Sequence, residues 1–224
     1  VDAHISAQFP HSTGTSPSGS SSSQETFGRV LNEISRNEAI RPYLVTTAPD
    51  VATSTNLGGF INRHGIFNRD LKREWSNNSI QKWTESPNGQ HIELGISEMN
   101  LFTLLGQLGM SGDISGQSLI PIGTVYDPFV LRGLDAFIYS VYSGAKFIVA
   151  GTPSGITLAP EGGAHQSTIT PSVGVELPGV VLMEPAFGQA LDWMLCDAIA
   201  HVAGAKKNTA PDLSPNELAF YFRL

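Results

Sequence analysis

The chain has 224 residues, 41% of them hydrophobic and 15% charged, so it can bury one full core and is not read as a disordered segment. A formal net charge of −7 and a pI near 5.3, with lysines and arginines scattered along the sequence, exclude the basic patch that a nucleic-acid partner needs. A single cysteine excludes an internal disulfide, and no run of about 18 apolar residues offers a membrane span, so a soluble, cytoplasmic protein is expected.

The Ser/Gly/Pro-rich run TGTSPSGSSSS at residues 13–23 predicts that residues 1–21 form a flexible linker, without a signal peptide. A start at Val1 rather than at a methionine, together with the strand-like run Tyr221 to Leu224 at the other end, suggests a piece of a longer protein. Ser22 and Glu25 have capping-box spacing, and Phe27, Val30, Leu31 and Ile34 follow at helical intervals, which predicts the first helix. Apolar runs at 43–47, 90–94, 118–124, 146–150 and 179–183 predict at least five strands. Between them lie helical patterns over 99–109, over 130–141 and over 187–198, with Asp127-Pro128 and Glu184-Pro185 as suitable helix starts. Residues 51–89, with Trp75 and Trp83 among many polar residues, predict a partly structured excursion. The alternation predicts an α/β fold: a mostly parallel sheet with helices on both faces, whose ligands bind beyond the carboxyl ends of the strands.

Four segments follow predicted strands and should converge there: residues 48–55, 93–100, 124–129 and 159–167. Glu98 falls at a helix start, where Leu94, Ile96 and Met99 would exclude water, and a protonated carboxyl there could exchange a proton with a bound heterocycle. Taken alone, it is better explained as a first-turn acid complementing the helix dipole. Tyr126 and Phe129 can stack against a flat ring or simply fill core. His165 follows two glycines that let backbone approach a ligand, and an imidazole can move protons near neutral pH, but a solvated loop histidine is an equal reading. Asp50 suits a turn cap or a site acid equally. Cys196 falls among apolar residues at helical spacing and is expected to pack as a small hydrophobe. His4, His11, His64, His91 and His201 show no metal-ligand spacing, so no metal site is expected in this chain.

Taken in order, SSQETFGRVLNEI, LVTTAPDVATSTNLGGFINRHGIF, HIELGISEMN, IPIGTVYDPFVLRGLDAF and APEGGAHQS resemble the pyrimidine-binding domain of the transketolase superfamily. The nearest likeness is to the homodimeric pyruvate dehydrogenase component of bacterial 2-oxo acid dehydrogenase complexes. The resemblance covers residues 22–203 and implies the thiamine diphosphate-binding fold, with 204–224 starting a connection to a further, carboxy-terminal domain. It implies that Glu98 hydrogen-bonds the cofactor's aminopyrimidine ring, so that the imino tautomer can remove the thiazolium proton. Tyr126 and Phe129 match the aromatic pocket around that ring, Asp50 an acidic position near the cofactor, and His165 a histidine facing the substrate. The whole enzyme would then decarboxylate a 2-oxo acid.

Two departures bear on the substrate. Met99 stands where transketolases commonly carry histidine, whereas QSTITPS after His165 is closer to the transketolase pattern than to the dehydrogenase. The superfamily's Gly-Asp-Gly magnesium motif is represented only by Gly112-Asp113-Ile114, so Mg2+ is expected on a diphosphate-binding domain outside this chain. The resemblance further implies a homodimer with the diphosphate domain of a neighbouring subunit completing the site, and an acyltransferase partner. A transketolase-type ketol transferase and a non-catalytic interaction or regulatory domain are the alternatives. The piece by itself is expected to be inactive.

Overall fold

A computed structural model of the chain describes residues 8–15, 19–70, 83–205 and 219–224. Its framework is an eight-stranded, all-parallel sheet in the order β3-β2-β4-β1-β5-β6-β8-β7. The strands are β1 (Leu44–Ala48), β2 (Ile66–Phe67), β3 (Glu85–Ser86), β4 (His91–Glu93), β5 (Ile120–Val125), β6 (Ile148–Gly151), β7 (Val180–Met183) and β8 (Ala219–Arg223). The α-helices are α1 (Ser23–Ile34), α2 (Gly58–His64), α3 (Glu98–Gly109), α4 (Ser111–Ser115), α5 (Leu134–Tyr142), α6 (Thr170–Glu176) and α7 (Gly188–Val202).

The central strands are buried along their whole length in β5, β6 and β8, as parallel strands covered on both faces must be. Their side chains alternate between two cores. Ile120, Ile122, Ile148, Ala150, Phe220 and Phe222 face a core completed by α1, α2 and α7. Val125, Phe147, Val149, Ala219 and Tyr221 face the other, where Leu101, Phe102 and Leu105 of α3 meet Phe137 of α5. The Phe102 and Phe137 rings stack at 4.7 Å.

Helix α1 starts as its sequence predicts: the Ser22 hydroxyl accepts from the Glu25 amide, and Phe27, Val30, Leu31 and Ile34 are buried. Only half of the capping box forms, because the Glu25 carboxylate is taken by the Ser21 hydroxyl and Arg29. Four expectations are corrected. The helix expected over 130–141 is a 3-10 helix, Asp127–Gly133, followed by α5. The start expected at Glu184-Pro185 falls instead at Gly188, since the Glu184 carboxylate accepts from Arg223 and Phe187 is still extended. Residues 219–223, placed by the sequence beyond the domain, form β8 and lie between β6 and β7, so the expected boundary near Ala203 does not hold for the sheet. Finally, within the expected linker Phe9 packs on the core, and Ser12 and Thr13 bond to the Asp192 carboxylate, Ser12 through its hydroxyl at 2.5 Å. The expectations that touch residues 1–7, 16–18, 71–82 and 206–218, including Trp75 and His4, lie outside the described residues. Among the described residues no helix is long and apolar enough to cross a membrane.

Candidate functional site

Leaving β1, the chain runs to α2 on one face, whereas leaving β5 it runs to α5 on the other. Adjacent parallel strands whose connections depart to opposite sides open a crevice beyond their carboxyl ends. A cavity of about 170 Å³ occupies this crevice. Pro49, Asp50 and Val51 line it from the end of β1, Ile96 and Glu98 from the turn after β4, and Tyr126, Phe129 and Arg132 from the segment after β5.

Glu98 is the first residue of α3, capped by Ser97, whose hydroxyl accepts from the Asn100 amide at 3.3 Å. Its residue exposure is 8%, but not for the reason its neighbours suggested: Ile96 is 79% and Met99 42% exposed. The 3-10 helix after β5 covers it instead. A Cβ on Gly133 would lie 2.7 Å from the Glu98 carbonyl oxygen and 2.3 Å from the Phe102 ring, so glycine is what lets this segment press onto α3. Arg132 reaches back over the site, its guanidinium carbon 4.1 Å from the Phe129 ring centre and its Nη1 3.8 Å from the Glu98 carboxylate. Being largely exposed, it can swing aside at small cost.

The aromatic wall is built from three rings. Tyr126 and Phe129 lie 6.1 Å apart, and His165, brought in by the long loop after β6, meets Phe129 edge-on at 5.3 Å and Tyr126 at 6.2 Å. The Tyr126 hydroxyl donates to Ser54 at 2.8 Å, tying this wall to the loop after β1. Nε2 of His165 lies 3.6 Å from Glu161, whereas its Nδ1 is buried with no hydrogen-bond partner among the described residues. Asp50 has φ of 64°, a left-handed conformation uncommon outside glycine, and its amide donates to Glu93 at 2.8 Å. Of the predicted residues, Asp50, Glu98, Tyr126 and Phe129 thus line one crevice, and His165 touches two of its rings.

Two residues of this region were not singled out by the sequence. Arg132 stands within the apolar run PFVLRGLDAF, where an isolated arginine was a usable signal. Asp127, read only as part of a helix start, is fully buried beneath the aromatic wall. Its carboxylate accepts from the Thr170 hydroxyl at 2.6 Å, from the Tyr221 hydroxyl, and from Arg223 Nε at 3.1 Å. Arg223 also bonds to Glu184 and, at 3.4 Å, to Ser167, two residues past His165. Burial, and next to it the Asp127 carboxylate, push the Tyr221 phenol well above its ordinary pKa, so the phenol stays a donor. Nothing local in the sequence marks a pair 96 residues apart. Among the described residues no group of three or more histidine, cysteine or acidic side chains could hold a metal ion. Cys196 is buried beside Leu195 and Ile199 as expected.

The family model of the pyruvate dehydrogenase E1 component middle domain matches residues 3–214. The chain belongs to that family. Curated relatives include the pyruvate dehydrogenase E1 component of Mycobacterium tuberculosis, 25% identical over 86% of this chain and 20% of the relative, and that of Escherichia coli, 21% identical over 81% and 21%. A 6-deoxy-6-sulfo-D-fructose transketolase subunit from a Clostridium species is 26% identical over 55% of the chain and 37% of the relative. This middle domain therefore spans about a fifth of the length of the E1 components it matches. Among solved structures, a transketolase from Pichia stipitis superposes with a TM-score of 0.67 at 14% identity, covering 98% of this chain and 27% of that one. A split-gene transketolase described as an inactive β4 tetramer gives 0.53 at 18% identity over 90% and 50%. The fold is that of the transketolase superfamily.

Proposed function

We propose that this middle domain binds the aminopyrimidine ring of thiamine diphosphate in the crevice beyond β1, β4 and β5, as part of an enzyme that decarboxylates a 2-oxo acid. The observation that carries the reading is the buried Glu98 carboxyl at the edge of a small cavity walled by Tyr126 and Phe129. At about 170 Å³ the cavity is below the roughly 300–1,000 Å³ of a site that engulfs a whole drug-sized ligand. It suits one flat ring, with the rest of the ligand lying outside.

In this reading Tyr126 and Phe129 hold the ring by apolar contact and exclude water, while Glu98 exchanges a proton with a ring nitrogen. Arg132 moves off the Phe129 face or keeps the carboxyl oriented from its rim. His165 Nδ1, buried and without a partner among the described residues, is available to a substrate oxygen. Asp50 stands at the rim as an acid near the cofactor. When bound, thiamine diphosphate supplies the carbon nucleophile and the electron sink that decarboxylation needs. Its diphosphate and Mg2+ would be held by a domain outside this chain, contributed by a neighbouring subunit of a homodimer, with an acyltransferase as downstream partner and the cytoplasm as location. The exposure of Tyr139 (69%) and Tyr142 (86%) on α5 supports a subunit interface.

A ketol-transferring activity is the second reading, favoured by the sulfofructose transketolase relative. Assays of the full-length protein with pyruvate and with a ketose phosphate decide between them, and Glu98→Gln tests the site. The proposal expects turnover of the 2-oxo acid to fall by about 10²–10⁴-fold in that variant. Unchanged turnover, or no turnover of either substrate by the unaltered protein, would favour the non-catalytic alternative.

A further inference from the structure

At the opposite edge of the sheet, below the amino ends of β1 and β4, lies a second hollow of about 350 Å³ with a different character. Arg36 enters it from the end of α1, Arg63 and His64 from the end of α2, Arg41 from the turn before β1, and Asn88 and Gln90 from the turn before β4. Among the described residues no carboxylate lines it. The sequence scatters these arginines over nearly 30 residues of an acidic chain, and the parallel sheet gathers them by stacking the starts of neighbouring strands.

Basic residues at helix ends commonly serve the last carbonyls, but here backbone amides already do so. The Gln90 amide donates to the His64 and Gly65 carbonyls, the His91 amide to Gly65, and the Arg36 and Asn37 amides to Glu33 and Ile34. Side-chain pairing is incomplete as well. Arg36 uses Nε on Glu33 at 3.0 Å and Arg63 uses Nε on Asn32 at 3.2 Å, and among the described residues the Arg41 guanidinium has no ion-pair partner. The Gln90 amide group donates to the Arg41 and Leu44 carbonyls at 2.7 and 2.8 Å, which fixes the backbone from which Arg41 projects. His64, braced by the Phe60 ring at 4.5 Å, has its Nε2 buried without a hydrogen-bond partner among the described residues.

From this geometry we infer that the hollow is a binding site for a small polyanion bearing phosphate or carboxylate groups, separate from the crevice at the other end of the strands. Guanidinium groups with free donor edges match both oxyanions, and the Asn88 amide and the His64 imidazole complete a polar lining. The volume admits a compact organic anion rather than a lone ion. Burial, then the Arg63 and Arg41 charges, push the His64 imidazole down to about 4, as expected where positive charge stands unbalanced. Glu33, a carboxylate beside this cluster, is exposed and already bonded to Arg36.

The test is titration of the full-length protein with inorganic phosphate and with citrate at fixed ionic strength, with the His64 imidazole followed by NMR. Binding should move the His64 titration upward, and Arg41→Gln and Arg63→Gln should each weaken binding about tenfold or more. Both arginines are exposed, so neither variant threatens folding. Phosphate alone, citrate alone or both acting this way would support the site and name its preferred group. Affinity unchanged in both variants, a His64 resonance blind to both anions, or binding only of an acidic peptide such as hexaglutamate would overturn the inference.

Discussion

Replacing Asp127 by Asn keeps the shape of the side chain and removes the charge on which Thr170, Tyr221 and Arg223 converge. One carboxylate oxygen becomes an NH2 group, and at Oδ2 it would face two donors, the Thr170 hydroxyl and Arg223 Nε, with nothing to accept. Asp127 is fully buried and the Arg223 side chain is 7% exposed, so solvent cannot replace what is lost. Removing one partner of such a buried pair costs about 3–5 kcal/mol. With a urea slope of about 3 kcal/mol/M for a chain of this size, the unfolding midpoint should fall by about 1 to 1.7 M. Because Asp127 lies between Tyr126 and Phe129, affinity for an aromatic ligand in the crevice should fall with it. Arg223→Met should be costly alone, yet the double variant should recover about 2 kcal/mol relative to the sum, since the charge left unpaired in each single variant is then gone. A cost below about 1 kcal/mol for Asp127→Asn, or single effects that add within about 0.5 kcal/mol, would refute the reasoning.

Other expectations follow from the same packing and charges. Gly133→Ala places a methyl group against the Phe102 ring and the Glu98 carbonyl oxygen; it should destabilise by about 1–3 kcal/mol and weaken ligand binding in the crevice, and a stable variant with intact binding would show that the 3-10 helix has room to move. The folded His64 pKa of about 4 lies below the ordinary histidine value of 6.5, so the unfolded state binds more protons between those values. Stability from this residue is therefore full above about pH 6.5 and lost as pH falls towards 4, and denaturant midpoints of His64→Gln should be flatter over that window than those of the unaltered protein. Tyr221 has the opposite sense: its raised pKa makes the folded state hold a proton that the unfolded state gives up above pH 10, so stability falls with rising alkalinity. Tyr221→Phe should remove that alkaline loss while costing stability at neutral pH, and an alkaline midpoint curve parallel to the unaltered protein's would contradict this assignment.

Much of the architecture is carried by short stretches that decide their own conformation. The Ser22 cap with Phe27, Val30, Leu31 and Ile34 makes α1 legible, and the apolar runs around Thr46, Ile122 and Val149 announce buried parallel strands, because period and capping act over a few residues. The same stretches, followed by Asp50, Glu98, Tyr126, Phe129 and His165, point to the carboxyl edge of the sheet, since in a parallel sheet all post-strand turns meet there. Where neighbours along the chain mislead, contacts across it are the reason. Ile96 and Met99 flank Glu98 in sequence, yet the Asp127–Gly133 segment is what covers it. The two-residue strands β2 and β3 are too short to show a period, and β8 declares its place between β6 and β7 only through pairing. The sequence by itself determined the helix and strand material, their alternation and the residue types available at the turns. Tertiary structure alone decided that Asp127 meets Arg223, that Arg132 reaches Glu98 and that Arg36 and Arg41 join Arg63 around His64, because each depends on how elements distant in sequence lie side by side.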